Sequence, residues 1–289
     1  TSERPVLVAS TDGVGTKTMI AAQMGRYDTI GHDIVNHCVN DVLAQGARPL
    51  FFLDYIASGQ LDPETIVSIV ESCAEACRQN GCTLIGGETA EMPGVYCSGA
   101  FDLVGMLIGW VPRNRIIDGR NVRPGDICLG LRSSGLHTNG YSLARRVFAH
   151  AGWEARFPEL DRPLGDVLLT PHRSYLPAFD ALADAHVTVK AMAHITGGGF
   201  AGNLPRVLPP GVGVRLDRTA WNVPPIFRLV QRLGQVAEAE MYEVFNMGVG
   251  MVLILGAEDV ARALNALPDE ASVIGVVSAW DGSEPRVRF

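Results

Sequence analysis

The sequence predicts an α+β protein made of two α/β-type domains, and three observations carry that expectation. Short runs rich in branched apolar residues alternate with stretches of helical spacing along the chain. With 289 residues, 47% of them apolar, the chain is long for one domain and comfortable for two. Between Pro112 and Pro124 lies a charged, turn-rich stretch without periodicity, which sets the boundary: an N-terminal domain over 1–113 and a C-terminal domain over 114–289.

Val6–Ala9 reads as a strand that delivers Asp12 at its tip. Residues 29–45 have helical spacing through Ile34, Cys38, Val42 and Leu43, which puts Asn36 and Asn40 on one face with Asp33 and Asp41 close by. Phe51–Ala57 is a strand. Asp62, Pro63 and Glu64 supply an N-cap, an N1 proline and a first-turn acid, and Asn80-Gly81 supplies the stop, so a helix is predicted over 63–79. Thr83–Ile85 is a strand running into Gly86-Gly87-Glu88, and Leu103–Val111 is another. In the second half, strands are predicted at 127–131, 187–193, 212–216, 250–255 and 273–278. Helices are predicted at 140–151, 171–185, 224–233, 238–246 and 258–266, giving a mixed sheet with helices.

A net charge of −7 argues against a nucleic-acid binder that lives on phosphate contacts. Six cysteines in no zinc-like spacing read as buried thiols of a reducing compartment. The longest charge-free apolar runs, Leu103–Pro112 and Val244–Ala257, are short of a membrane span. The opening Thr1-Ser2-Glu3-Arg4-Pro5 shows no signal-peptide pattern.

Several segments place carboxylates beside small residues, where backbone can approach a phosphate and oxygen ligands can hold a divalent cation. Thr11–Lys17 (TDGVGTK) fails the P-loop pattern because Thr16 separates Gly15 from Lys17. It still offers Asp12 for metal and Lys17 for phosphate, against the plainer reading of a tight glycine turn. Asn40-Asp41 lies among Val39, Val42 and Leu43, so an acid sits near the core. Glu88 and Glu91 follow two glycines, and with the other acid-bearing segments they favour convergent metal binding over a polar loop. Ser133–Ser142 (SSGLHTNGYS) brings hydroxyls, His137 and Asn139 to the start of a helix, which suits an anion. Ile195–Gly202 contains a G-x-G-x-x-G run, but Pro205, Pro209 and Pro210 leave too short a helix for a dinucleotide fold. Its glycines remain a seat for a substrate phosphate. His194 reads equally as structural or functional, the remaining histidines carry no usable pattern, and no G-x-S-x-G elbow supports a hydrolase.

Taken in order, TDGVGTK (11–17), CVNDV (38–42), QGA (45–47), PLFFLDY (49–55) and GGETAEMPG (86–94) resemble the phosphoribosylformylglycinamidine cyclo-ligase family. HTNGYSL (137–143), HITGGGF (194–200) and FNMGVGM (245–251) continue the resemblance through the second half. The wider superfamily includes selenophosphate synthetase, a hydrogenase-maturation protein and thiamine-phosphate kinase, which remain rivals alongside a non-catalytic nucleotide-binding paralogue.

The resemblance implies an N-terminal ATP- and metal-binding domain whose sheet pairs with a second copy in a cytoplasmic homodimer. It also implies a C-terminal substrate-binding domain, with the active cleft between the two. The implied reaction is a step of purine synthesis: ATP phosphorylates the formyl amide oxygen of formylglycinamidine ribonucleotide, and ring closure follows with loss of phosphate. It assigns Asp12, Asp41 and Glu88 to Mg and the nucleotide phosphates, with Thr16 and Gly87 in the nucleotide site. Lys17 and Asn40 are placed on transferring phosphate or substrate, and His137 beside them. Ser134, Asn139 and His194 orient the substrate, and Gly197, Gly198 and Gly199 seat its ribose phosphate. The family carries a further N-terminal segment with its own glycine-rich loop, so this version is expected to bind substrate yet turn over poorly if that segment closes over ATP. The general base for ring closure stays open among His137, His194 and a carboxylate.

Overall fold

The computed structural model describes residues 4–289, so the first three positions of the opening stretch lie outside the described residues. Its chain forms two compact units that do not follow a single cut in sequence. The first takes in residues up to Leu43, Ala47–Asn114 and Ser134–Ser174; the second takes in Ala44–Gly46, Arg115–Ser133 and Tyr175–Phe289.

In the first unit, β1 (Pro5–Gly13), β2 (Arg48–Ser58), β3 (Thr83–Glu91) and β4 (Phe101–Pro112) form a sheet of order β1-β4-β2-β3. β4 runs antiparallel to β1 and β2, and β3 runs parallel to β2. Two helices, α2 (Ile30–Leu43) and α3 (Pro63–Gln79), pack against each other, and α2 also lies on β1, β2 and β4. Alternation along the strands sends Phe52, Ile56, Leu103, Leu107 and Val111 into that core, all fully buried. The opposite face carries Leu7, Phe51, Met106 and Trp110, which stay exposed. α2 and α3 approach closely at Gly31, where a Cβ would stand 2.3 Å from the Cys73 nitrogen. The predicted caps of α3 hold: the Asp62 carboxylate accepts from Thr65 N (3.0 Å), with Pro63 at the first helical position.

Two helices of this unit were not anticipated, α1 (Lys17–Met24) and α5 (Leu164–Leu168), the latter following α4 (Tyr141–Val147). α1 buries Lys17, Thr18, Ile20 and Ala21, a mixed set that leaves no apolar stripe to read. The Gly86-Gly87-Glu88 run, expected after a strand, lies within β3.

In the second unit, β5 (Ile127–Arg132), β6 (Val189–His194), β7 (Val212–Leu216), β8 (Val249–Leu255), β9 (Ala271–Ala279) and β10 (Val287–Arg288) form a mixed sheet. Its order is β10-β7-β9-β5-β8-β6, antiparallel throughout except for β10 on β7. All of β8 is buried, as expected of an interior strand with a continuous apolar run. The same unit carries α6 (Leu176–Asp184), α7 (Gly199–Asn203), α8 (Pro225–Gly234), α9 (Glu238–Val244) and α10 (Val260–Ala266), with α9 packed on α7 and α8 and α10 on α6. The helix expected from 171 starts only at Leu176. Residues 170–173 spend their backbone groups on side chains instead, which forbids a helical ladder there. Among the described residues, no helix is long and apolar enough to cross a membrane.

Candidate active site

Within the first unit, α2 is buried almost end to end yet carries Asp33, Asn36, His37 and Asn40 among its buried residues. Steps of three and four residues align them as one polar stripe inside the fold. Buried polar groups need partners, and residues 137–173 supply many of them. Asn36 Nδ2 donates to the His172 carbonyl (2.7 Å). Asn40 Nδ2 donates to the Arg173 carbonyl (2.8 Å) and meets His172 Nε2 at 3.2 Å.

Lys17 departs from expectation. Rather than facing a phosphate, its ammonium points inward and donates to Asp33 Oδ1 (2.7 Å), Thr170 O (2.7 Å) and His137 O (3.3 Å). Both side chains of the ion pair are 0% exposed. The reason is electrostatic: an aspartate buried in α2 demands a cation, and Lys17 opens the helix that can supply one. Burial lowers the Lys17 pKa against the opposing pull of Asp33. Burial raises Asp33 to about 6, even though Lys17 and the His172 N–H (2.7 Å) favour its ionised form. Asp33 Oδ2 has no hydrogen-bond partner among the described residues, which adds to that cost.

Asp12, at the end of β1, and Asp41, near the end of α2, come together on one imidazole. His37 Nε2 lies 3.0 Å from Asp12 Oδ2 and 3.7 Å from Asp41 Oδ2, and Asp41 also accepts from Ser10 Oγ (2.9 Å). Burial raises the Asp12 pKa, but the His37 hydrogen bond, its charge and the Gly13 N–H outweigh this and hold it below the ordinary value. Burial alone would lower His37; the Asp12 hydrogen bond and the surrounding carboxylates raise it above the usual imidazole value. With side-chain exposures of 44% and 31%, Asp12 and Asp41 offer hard oxygen donors to solvent. That donor set fits Mg, which prefers one or two carboxylates and keeps several waters.

Glu88 does not join them within one chain. Asp12 pairs with Gly105 on the helix-covered face, whereas Tyr55, the β2 partner of Glu88, pairs with Val104 on the uncovered face. β1 and β3 are also opposite edges of the sheet, about 14 Å apart at roughly 4.8 Å per strand step. Gly87 has a local purpose: a Cβ there would stand 2.2 Å from Asp54 Oδ1, so its bare backbone makes room for that side chain.

Residues 133–140 form an irregular loop before α4. His137, expected to reach substrate, is 1% exposed, with φ of 61°, and its Nε2 accepts from Ser134 N (3.2 Å). Its ring stacks on His172 at 3.9 Å and 22°. Ser134 Oγ donates to the Pro171 carbonyl (2.6 Å), Asn139 is half-buried, and Thr16 Oγ1 lies 3.3 Å from Ser142 Oγ. The sequence reading missed His37 and His172 as members of this cluster. Only the four-residue step from His37 to Asp41 was available as a signal, whereas His172 follows no periodic element.

In the second unit, His194 ends β6 and is buried. The loop after it is wired by Asn203, whose Nδ2 donates to the Gly199 carbonyl (2.8 Å) and approaches those of Gly197 (3.3 Å) and Thr196 (3.4 Å). Gly198 and Gly199 adopt φ of 89° and 56°, and a Cβ on Gly199 would stand 1.9 Å from the Tyr242 carbonyl. The following helix, α7, spans only Gly199–Asn203, too short for a dinucleotide fold. So short a helix also contributes little dipole to the phosphate seat expected of these glycines.

Residues 2–111 match the N-terminal domain of AIR synthase related proteins, and residues 123–288 match the C-terminal domain. A phosphoribosylformylglycinamidine cyclo-ligase of Desulfitobacterium hafniense is 52% identical over 277 residues, covering 95% of this chain and 81% of that protein. The enzyme of that name from Myxococcus xanthus is 51% identical over 291 residues, covering 99% of this chain and 84% of that protein. Among solved structures, a hydrogenase maturation protein HypE in complex with ATP shares the fold, with a TM-score of 0.71 at 21% identity. That likeness covers 98% of this chain and 81% of the HypE chain.

Proposed function

The chain belongs to the AIR synthase related family, and from that membership we propose that it is an ATP-dependent phosphoribosylformylglycinamidine cyclo-ligase of de novo purine synthesis. The γ-phosphoryl group of ATP passes to the formyl amide oxygen of formylglycinamidine ribonucleotide, and ADP leaves. A nitrogen of the amidine side then attacks the activated carbon, the C–O bond breaks with release of phosphate, and aminoimidazole ribonucleotide forms. An amide oxygen is a poor leaving group, so its phosphorylation lowers the barrier to closure. Phosphoryl transfer of this kind depends on positioning and charge stabilisation rather than covalent catalysis.

The observation that carries this reading in the structure is the convergence of Asp12 and Asp41 on His37. Asp12 and Asp41 would hold Mg, which when bound neutralises charge on the nucleotide phosphates. Thr16 and the glycines around it lie beside Asp12 and leave the backbone accessible to the nucleotide. Asn40 has its amide fixed by the Arg173 carbonyl and His172 Nε2, which fits a rigid polar group beside the site. Ser134 and Asn139 of the first unit, and His194 and the Gly197–Gly199 loop of the second, are assigned to the ribonucleotide.

The working form is a homodimer paired through the uncovered sheet face, whose exposed Leu7, Phe51, Met106 and Trp110 support it. Glu88 shares that face and takes its nucleotide role beside a second copy. Free cysteines, five of the six buried, accord with a cytoplasmic setting.

The test is ADP release with ATP, Mg and formylglycinamidine ribonucleotide, run beside an assay of the aminoimidazole product. Matched ADP and product support the cyclo-ligase. ADP formed only with another acceptor moves the chain to a different reaction of the superfamily, and nucleotide binding with no turnover on any acceptor identifies a non-catalytic relative.

A further inference from the structure

The phosphoryl-transfer chemistry above leaves His172 without a task, yet this ring is buried against residues assigned to the reaction. Its bonds can be given a direction from the donors themselves. The Arg173 carbonyl can only accept, so the 2.8 Å contact fixes the Asn40 amide with Nδ2 toward it. The same Nδ2 meets His172 Nε2 at 3.2 Å and must donate, so Nε2 carries no proton. A neutral His172 then holds its proton on Nδ1, which faces Thr138 Oγ1 at 3.4 Å. Thr138 accepts that bond and has one hydroxyl proton to give, and His37 Nδ1 lies 2.8 Å away. Accepting there, neutral His37 keeps its proton on Nε2, 3.0 Å from Asp12 Oδ2.

We propose that these contacts form one directed hydrogen-bond chain, Asn40 to His172 to Thr138 to His37 to Asp12, in which His172 is a positioning residue. It sets the Asn40 amide through its Nε2 and, through Thr138, the tautomer of the imidazole that holds Asp12. Its ring also backs His137. The local geometry stands without any assignment of activity; the kinetic consequence rests on the cyclo-ligase reading. Sequence gives no hint of the chain, because its links join residues far apart: 132 positions separate Asn40 from His172, and 101 separate His37 from Thr138.

Selective ¹⁵N labelling of histidine in the intact protein tests it in a series from about pH 7.5 to about pH 9.5, so that His37, raised by its carboxylates, is also read in its neutral form. His172 is expected as the Nδ1–H tautomer and His37 as the Nε2–H tautomer, with His37→Gln and His172→Phe assigning the signals. Thr138→Val removes the middle link and should shift the His37 signals. An Nε2–H or charged His172, or His37 signals untouched by Thr138→Val, overturns the chain.

Steady-state kinetics supply the second arm. His172→Phe keeps a ring to stack but no acceptor, and kcat should fall about tenfold with KM for ATP within about twofold. His172→Gln restores an acceptor for Asn40 and should recover most of that loss at an unchanged unfolding temperature. Equal kcat in the two variants, or a wild-type value in His172→Phe, removes the positioning role. If the wild-type protein cyclises nothing, the functional reading fails while the tautomer measurement still decides the chain.

Discussion

Replacing Lys17 with Met removes one partner of an ion pair that has no access to water. The methionine fills most of the same volume, so the change is chiefly electrostatic: an ionised Asp33 is left with the His172 N–H and no cation. Removing one member of a buried pair costs about 3–5 kcal/mol, which for a protein of this size lowers the unfolding temperature by roughly 10 °C. The pH dependence has a definite sign. Asp33 binds its proton more readily folded than unfolded, so its ionisation subtracts stability as pH rises from near 3.8 to about 6. Without Lys17 the folded value climbs further, so the deficit of Lys17→Met should grow from about pH 5 to about pH 8 and shrink on acidification. Thermal and urea unfolding at both pH values measure it, beside the double variant Lys17→Met/Asp33→Leu, which should recover most of the loss. A Lys17→Met protein as stable as the wild type, or one whose deficit deepens in acid, refutes the buried-pair account. A stable double variant that loses all nucleotide affinity would return Lys17 to a phosphate role.

Asp12→Asn keeps the shape of the side chain but removes its charge, and turnover should fall by about 100-fold or more with the Mg requirement shifted upward; unchanged activity and Mg dependence would end the metal assignment. Met106→Glu places a charge on the uncovered sheet face and should yield monomers in sedimentation analysis without lowering the unfolding temperature of the monomer. Gly87→Ala should cost about 2 kcal/mol in urea unfolding through overpacking. Asp54→Ala should not restore it, since the Asp54 backbone oxygen also stands 2.3 Å from the new methyl.

Where local chemistry dictates structure, the sequence was readable. α3 starts and stops where Asp62-Pro63 and Asn80-Gly81 say it should, because capping is settled within a few residues. The core strands of the second unit were legible for the same reason, being continuous branched apolar runs. α1 was not, because tertiary packing rather than an apolar stripe buries Lys17 and Thr18. The site divides similarly. Asp12, Asn40 and Asp41 stood out as acids and amides among apolar neighbours, and the fold brings them near one another through His37 and its hydrogen bonds. The fates of Lys17 and His137 could not be read, since each is decided by a partner far along the chain. Glu88 and Asp12 look alike in sequence, each an acid beside glycine after a short apolar run. Strand order, which composition does not encode, puts them on opposite edges.

The return of residues 134–174 to the first unit has a bearing on how the protein is made. A ribosome that has released residue 114 has delivered the whole four-stranded sheet, but Asp33, Asn36 and Asn40 still lack their partners at 170–173. The nascent first unit must therefore wait, with a polar seam open, while β5 of the other unit emerges ahead of the segment that seals it. Neither half can be completed strictly before the other begins, so a gene cut at the apparent boundary should yield an N-terminal fragment that needs the 134–174 peptide supplied separately in order to close.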